Sequence, residues 1–498
     1  MPPTSLNVRL ADGSAAQIQV ENGFIQAVNP IPAAADLPYI LPGFIDSHCH
    51  VLPSGLHLTR LDLSPCASPD DVLQAVREAA PQVGPGQWLQ AVMYDQTKFP
   101  GTIHLTRHDL DRVAPDVPVL LRHSNGHASV ANSKALERAG ITRETPDPEG
   151  GEFRRDATGE PDGVLLEKAH EAVTAAAPTP DHEEMVQAIL AAGRDMARLG
   201  ITCATDMMTG RYGLDAELAA YTEAARRGNP VRVRLYVQWF QVLGRNAPPV
   251  ADFRDKVAQL DDSMVGFRGL KVFADGAIGS ATAAVYIAYP TTGGLGQLIY
   301  PEADLENILK SIDDNGFRIA VHSIGDRSTD LVLDAYARTA NPTQHRLEHA
   351  MILSDKQIDH LANINCKVTF QPEFLMRFGH AYRAQVPDRA PQLKRVRTVL
   401  ERGIPAAFNS DRPIVPGNPW HGIQAAVARP EGFDPAENID LPTAIRLYTQ
   451  AGAEINFDAD QGEVRQGMRA DFQLYAETPT PQSHPIAVYR GGELTFSA

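Results

Sequence analysis

The 498-residue chain has little of what would place it in several large protein classes. It has four cysteines, Cys49, Cys66, Cys203 and Cys366, and no two are spaced Cys-x-x-Cys. That excludes a zinc ribbon and leaves no disulfide framework to read, so the thiols are expected to be reduced and mostly buried. No apolar run approaches the roughly 18 to 20 residues of a membrane span. The first residues, "MPPTSLNVRLADGSAAQ", lack a basic stretch followed by an apolar one. A soluble, cytoplasmic protein is therefore expected. Acidic residues outnumber basic ones by 61 to 45, and a net charge of −16 repels nucleic acid and anionic membranes. The expected partners are a small-molecule substrate and, at most, a second copy of the chain in a homodimer. A Gly-x-Ser-x-Gly elbow, a P-loop and a dinucleotide fingerprint are all missing, which argues against serine hydrolase, nucleotide and nicotinamide chemistry.

What is present is an alternation of apolar runs and amphipathic stretches. The runs are "YILPGFIDSHCH", "GITCATDMM", "VRVRLYVQWF", "FRGLKVFADG", "FRIAVHSIGD", "HRLEHAMI", "CKVTFQPEFL" and "IPAAFNSDRPIV". Between several of them lie segments such as "DHEEMVQAILAAGRDMARLG" and "DRSTDLVLDAYARTA", whose apolar residues recur at helical spacing. Eight such repeats predict an α/β fold, a (β/α)8 TIM barrel over residues 43–455. About 150 residues separate the first run from the second, far more than a βα loop needs, so an inserted subdomain is expected at 60–180. Short alternating strands at both ends predict a small composite β-sandwich from residues 1–42 and 456–498.

The barrel reading directs attention to strand ends, where such folds carry their chemistry. The first gives His48 and His50, whose i, i+2 spacing on a strand turns both imidazoles to one face. A bare His-x-His is common by chance and proves little alone. The later strands add Lys271, His322, His349 and Asp411. Nitrogen and carboxylate groups converging on one mouth suit a divalent cation, zinc above all.

Five segments in order, "GFIDSHCH", "KVFADGAIGS", "VHSIGD", "LEHA" and "NSDRPI", resemble the successive motifs of the metal-dependent amidohydrolase superfamily. More narrowly, "GITRETPDPEGGEFRRDATGEPDGVLLE" with "KVFADGAIGS" resembles its YtcJ-like branch, which includes N-substituted formamide deformylases. The resemblance implies that His48 and His50 hold one metal with Asp411, and His322 and His349 a second. It implies that Lys271 is carboxylated and bridges them, and that Asp411 is the general base and then acid. The expected reaction is hydrolysis of a C–N bond in an amide, N-acyl, N-formyl or cyclic amide substrate by metal-activated hydroxide. His127 and Asp275 are the expected substrate-side residues. Two positions depart from the branch pattern: Ala281 stands where an arginine is usual, and Asn125 where an aspartate is.

Competing readings are blander. His104 and His108, at i, i+4, lack the intervening glutamate of a zinc helix and read as a surface helix start. Glu348, next to His349, is expected to face away from the site. "MRFGHAYRAQVPDRAPQLKR" and the loop around Asn125 are expected to form a lid. An esterase or lactonase would use the same residues. A non-catalytic scaffold of the same fold would be expected to have lost ligands, and all six are present.

Overall fold

The computed structural model describes residues 4–32, 34, 36–124, 128–148 and 151–498. Eight parallel strands form one sheet, each beside its neighbour in sequence. They are β1 (Phe44–Cys49), β2 (Ile201–Thr209), β3 (Arg232–Gln238), β4 (Val265–Phe273), β5 (Ile319–Ser323), β6 (Arg346–His349), β7 (Lys367–Phe370) and β8 (Ala406–Phe408). Parallel strands covered on both faces read as continuous apolar runs, and β1, β6 and β8 are buried at every residue. The seam between β8 and β1 is joined where the chain leaves β8. There Asp411 N donates to His48 O at 2.9 Å and His50 N to Arg412 O at 2.8 Å. The sheet thereby closes into the expected barrel.

Helices cover the outside. His182–Arg198 precedes β2, Glu302–Asp314 precedes β5 and Asp326–Tyr336 follows it. The first starts where the sequence reading placed it, because Asp181 Oδ1 accepts Glu184 N at 2.9 Å while Glu184 Oε2 accepts Asp181 N at 2.8 Å. That reciprocal pair satisfies donors the first turn would otherwise leave unmet. Register then levels the strand ends: Phe273 pairs with His322, and Ser323 with His349.

Residues Leu56–Glu184 form a compact unit of their own. Its six-stranded sheet runs Gly151–Arg155, Pro161–Glu167, Ala128–Ala131, Val119–His123, Leu89–Tyr94 and Leu61–Asp62. Its first two members pair as an antiparallel hairpin. The helix near His104 and His108 is only Arg107–Asp111, so the two histidines do not share a helical face.

Both termini meet in a separate seven-stranded sheet. Its order is Glu493–Ser497, Ala487–Arg490, Phe472–Tyr475, Tyr39–Pro42, Thr4–Arg9, Ala15–Glu21 and Phe24–Pro30. Buried ion pairs tie the C-terminal segment to the barrel strands: Arg234 Nε to Asp458 Oδ2 at 2.7 Å, Arg268 Nη2 to Asp458 Oδ1 at 2.5 Å and Arg232 Nε to Asp471 Oδ2 at 2.9 Å. All four cysteines are free thiols, three of them buried. Among the described residues no helix is long and apolar enough to cross a membrane.

Candidate metal centre

The carboxyl end of β1 presents His48 and His50, and the turn after β8 presents Asp411. Cys49, between the two histidines, faces the other way, its thiol 3.4 Å from Thr205 O. His50 Nε2 lies 2.9 Å and His48 Nε2 3.5 Å from Asp411 Oδ1. The three residues are buried, and each offers a ligand atom within 4.8 Å of the others. Two imidazoles and one carboxylate at this spacing fit a divalent cation.

The turn that aims Asp411 is over-determined. Buried Asp46, inside β1, accepts Ser410 N at 2.9 Å and Ser410 Oγ at 2.5 Å, and Asp411 itself has φ +57°. His349 at φ +72° and Ala350 at +41° are strained in the same sense. Non-glycine residues held in this region cost about 1–3 kcal/mol each and persist where surrounding contacts enforce them. The helix after His50, Val51–Thr59, is anchored by Asp206 of β2, whose Oδ2 accepts Val51 N at 2.9 Å and the Tyr221 hydroxyl at 2.5 Å.

His322 and His349 stand beside this trio. Ring centroids are 4.9 Å apart for His48 and His349 and 4.4 Å for His322 and His349. Burial depresses the basicity of all three, His322 to about 4 and the other two well below the usual histidine range. Neutral imidazoles keep a lone pair, and their partners show on which nitrogen. His322 Nε2 lies 3.0 Å from Gly276 O, so it carries the hydrogen and Nδ1 is bare. His48 Nδ1 lies 2.6 Å from Glu348 Oε2, which leaves its Nε2 bare on the Asp411 side. For Asp411, burial pushes its carboxyl up, but His48, His50 and Lys271 outweigh that and hold it below the usual range.

Lys271, two residues before the end of β4, is 1% exposed and its Nζ has no hydrogen-bond partner among the described residues. Burial lowers its affinity for a proton to about 8, against the pull of Glu348 and Asp411. Burying an amine without a hydrogen bond is costly, and such groups are found where a site uses them.

Two expectations change. Glu348 does not face away: it is fully buried, accepts His48 Nδ1, takes a 2.6 Å bond from Thr369 Oγ1 and pairs with Arg346. Alternation turns Arg346 and Glu348 inward together, and the positive φ of His349 then brings its neighbour back to the same site. The signal was two charges at i, i+2 in a short strand whose every residue is buried. Asp275, expected on the substrate side, is instead committed to the backbone. It accepts from Ala284 N at 3.0 Å, Ile324 N at 3.0 Å, Gly325 N at 2.8 Å and Ser328 Oγ at 2.7 Å, and it is 2% exposed. Its part is to fix the loops beside His322. His127 and Asn125 lie outside the described residues. Ala281 is buried in an apolar cluster with Ile278 and Val285. The first half of the segment expected as a lid lies in the helix Glu373–Gln385, and the segment is held down through buried Tyr382, Val386 and Leu393.

Comparison with known proteins agrees with this geometry. The chain is 33% identical over 456 residues to YtcJ of Bacillus subtilis (strain 168), named as an amidohydrolase, covering 88% of this chain and 84% of that protein. It is 28% identical over 462 residues to the N-substituted formamide deformylase of Arthrobacter pascens, with the same coverage. The fold matches the crystal structure of an uncharacterised metal-dependent hydrolase from Pyrococcus furiosus with a TM-score of 0.78 at 23% identity, over 96% of this chain and 98% of that one. The model of the amidohydrolase family matches residues 38–496, a span that holds every residue of the cluster. The chain thus belongs to the amidohydrolase family, and its family makes it a hydrolase.

Proposed function

We propose that the protein hydrolyses a C–N bond other than a peptide bond, in an amide, N-acyl, N-formyl or cyclic amide substrate, with one or two divalent cations, most suitably zinc. The observation that carries this reading is the meeting of His48, His50 and Asp411, with unpartnered Lys271 beside them. His48, His50 and Asp411 would hold one ion and His322 and His349 a second. Lys271, as a carbamate, would supply the anion between them, which its ammonium could not. When bound, such ions make a water molecule acidic and polarise a carbonyl.

The chain's own residues do the rest. Glu348 and Gly276 O fix the rings of His48 and His322, so that no reorganisation is needed when the ligands are used. Asp411 is ionised at neutral pH and its Oδ1 is taken up by His50. Oδ2 is then the atom that takes the water proton and passes it to the departing nitrogen. Burial of His48, His50, Lys271, His349 and Asp411 keeps bulk water from them and strengthens each of these interactions. The 28% identity to an N-substituted formamide deformylase makes N-formyl amines the first amides to test.

Metal content should be measured alongside turnover of matched amide and ester panels. Bound divalent cation with amide turnover is expected, and Asp411→Asn should lower the rate by roughly 10²–10⁴-fold. Turnover confined to esters, or an unaffected Asp411→Asn variant, would overturn the reading.

A further inference from the structure

We infer that Lys394 and Gln371 set the tautomer of His349 and thereby decide which of its ring nitrogens keeps the lone pair; this rests on the metal-site reading above. Lys394 arrives from a connecting segment, 23 residues beyond Gln371. It is fully buried and has φ +53°, and its N–H donates to Met351 O at 2.9 Å. A buried lysine in strained backbone breaks two local rules at once, and such breaks gather where a site needs them.

Its contacts show what it does. Lys394 Nζ lies 2.9 Å from the side-chain oxygen of Gln371 and 3.3 Å from His349 O. Lys394 Nζ donates there, so the end of Gln371 that meets it is the carbonyl oxygen. The amide nitrogen of Gln371 then donates to Asn409 Oδ1 at 2.7 Å. His349 Nδ1 stands 3.1 Å from the same Gln371 oxygen. An oxygen that only accepts requires the hydrogen on that nitrogen. The lone pair of the neutral ring is left on Nε2. His48, His322 and His349 thus each have one nitrogen tied by an acceptor and one bare. Lys394 and Gln371 are positioning residues, acting on the site through His349.

The test reads the tautomer directly in metal-free protein selectively labelled with 15N-histidine. The His349 signals are identified by their loss in His349→Gln. Wild type should show the Nδ1–H form. Gln371→Leu and Lys394→Met should move it toward Nε2–H or a mixture, and weaken Zn2+ binding about 10–100-fold. Gln371→Glu should behave as wild type in both, because its carboxylate still accepts from His349 and Lys394. Asn409, whose Nδ2 is buried without a partner, can turn to donate to it. An unchanged tautomer in folded Gln371→Leu, or Gln371→Glu behaving like Gln371→Leu, would overturn the inference even if Lys394→Met fails to fold. Wild type that binds no Zn2+ would instead sink the metal-site reading, and the tautomer measurement would still decide this one.

Discussion

Glu348 shows how a cluster of imidazoles depends on the residues behind it. Its carboxylate serves His48, Thr369 and Arg346, and Arg346 Nη2 in turn holds Ser47 O at 2.6 Å, one residue before His48. Removing one partner of a buried pair leaves the other charge bare, which costs about 3–5 kcal/mol. Glu348→Ala should therefore lower the unfolding free energy by that order in urea titrations, and Glu348→Gln by clearly less. A Glu348→Ala variant as stable as wild type would refute this account of the network. Lys271 should behave in the opposite way. Its Nζ is desolvated without a hydrogen bond among the described residues, so Lys271→Met should raise the urea midpoint of the metal-free form while abolishing hydrolysis. Gain of function at one position and gain of stability at the same position are then in conflict, as expected where a group is kept for its chemistry. The clustering of His48, His50 and Asp411 was readable because spacing and motif order agree. Gln371, Lys394 and Asn409 were not, since three segments far apart in sequence meet only through the fold.

At the scale of elements, the eight barrel strands were legible because parallel strands buried on both faces leave long apolar runs bounded by turns. What escaped was the behaviour of strand ends, where positive φ at His349 and Asp411 abandons the alternation on which a reading of faces relies. The helix Leu214–Arg226 offers an independent test of how burial shapes an element. Glu217 in its first turn is 2% exposed and accepts Gly210 N at 2.8 Å and Tyr212 N at 2.5 Å, tying down the loop that ends β2. Burial nevertheless dominates and pushes its carboxyl up to about 7. Below pH 4.5 the carboxyl is protonated folded or unfolded. Between 4.5 and 7 the unfolded chain ionises it more readily than the folded one, so its contribution to stability falls as pH rises through that window. A shift of this size is worth about 3 kcal/mol as an order of magnitude. Glu217→Gln should flatten that part of the profile of unfolding free energy against pH, and an unchanged slope would show that Glu217 is not its source.

At the scale of the whole molecule, the barrel strands and the terminal sheet are fastened by a few buried charges. The two ends of the chain were recognisable as strands by their alternation, but the fastening was not, because Arg232, Arg234 and Arg268 sit in runs that otherwise read as apolar. Asp458 is the centre of it: one carboxylate, 6% exposed, receives Arg234 on one oxygen and Arg268 on the other. Arg268 has a second acid in Asp262, whereas Arg234 is left with backbone carbonyls, those of Val233 and Asp262, once Asp458 is gone. Asp458→Asn keeps the shape and removes the charge, so a guanidinium that is 1% exposed must be held in the folded state without a counterion. The expected cost is about 3–5 kcal/mol. The sign of the matching double change separates this cause from lost packing. If the unpaired cation is what destabilises Asp458→Asn, adding Arg234→Met should recover part of the loss, since an apolar side chain of similar length asks for no partner. If the double variant is instead less stable than Asp458→Asn alone, the strands are held by shape and not by charge.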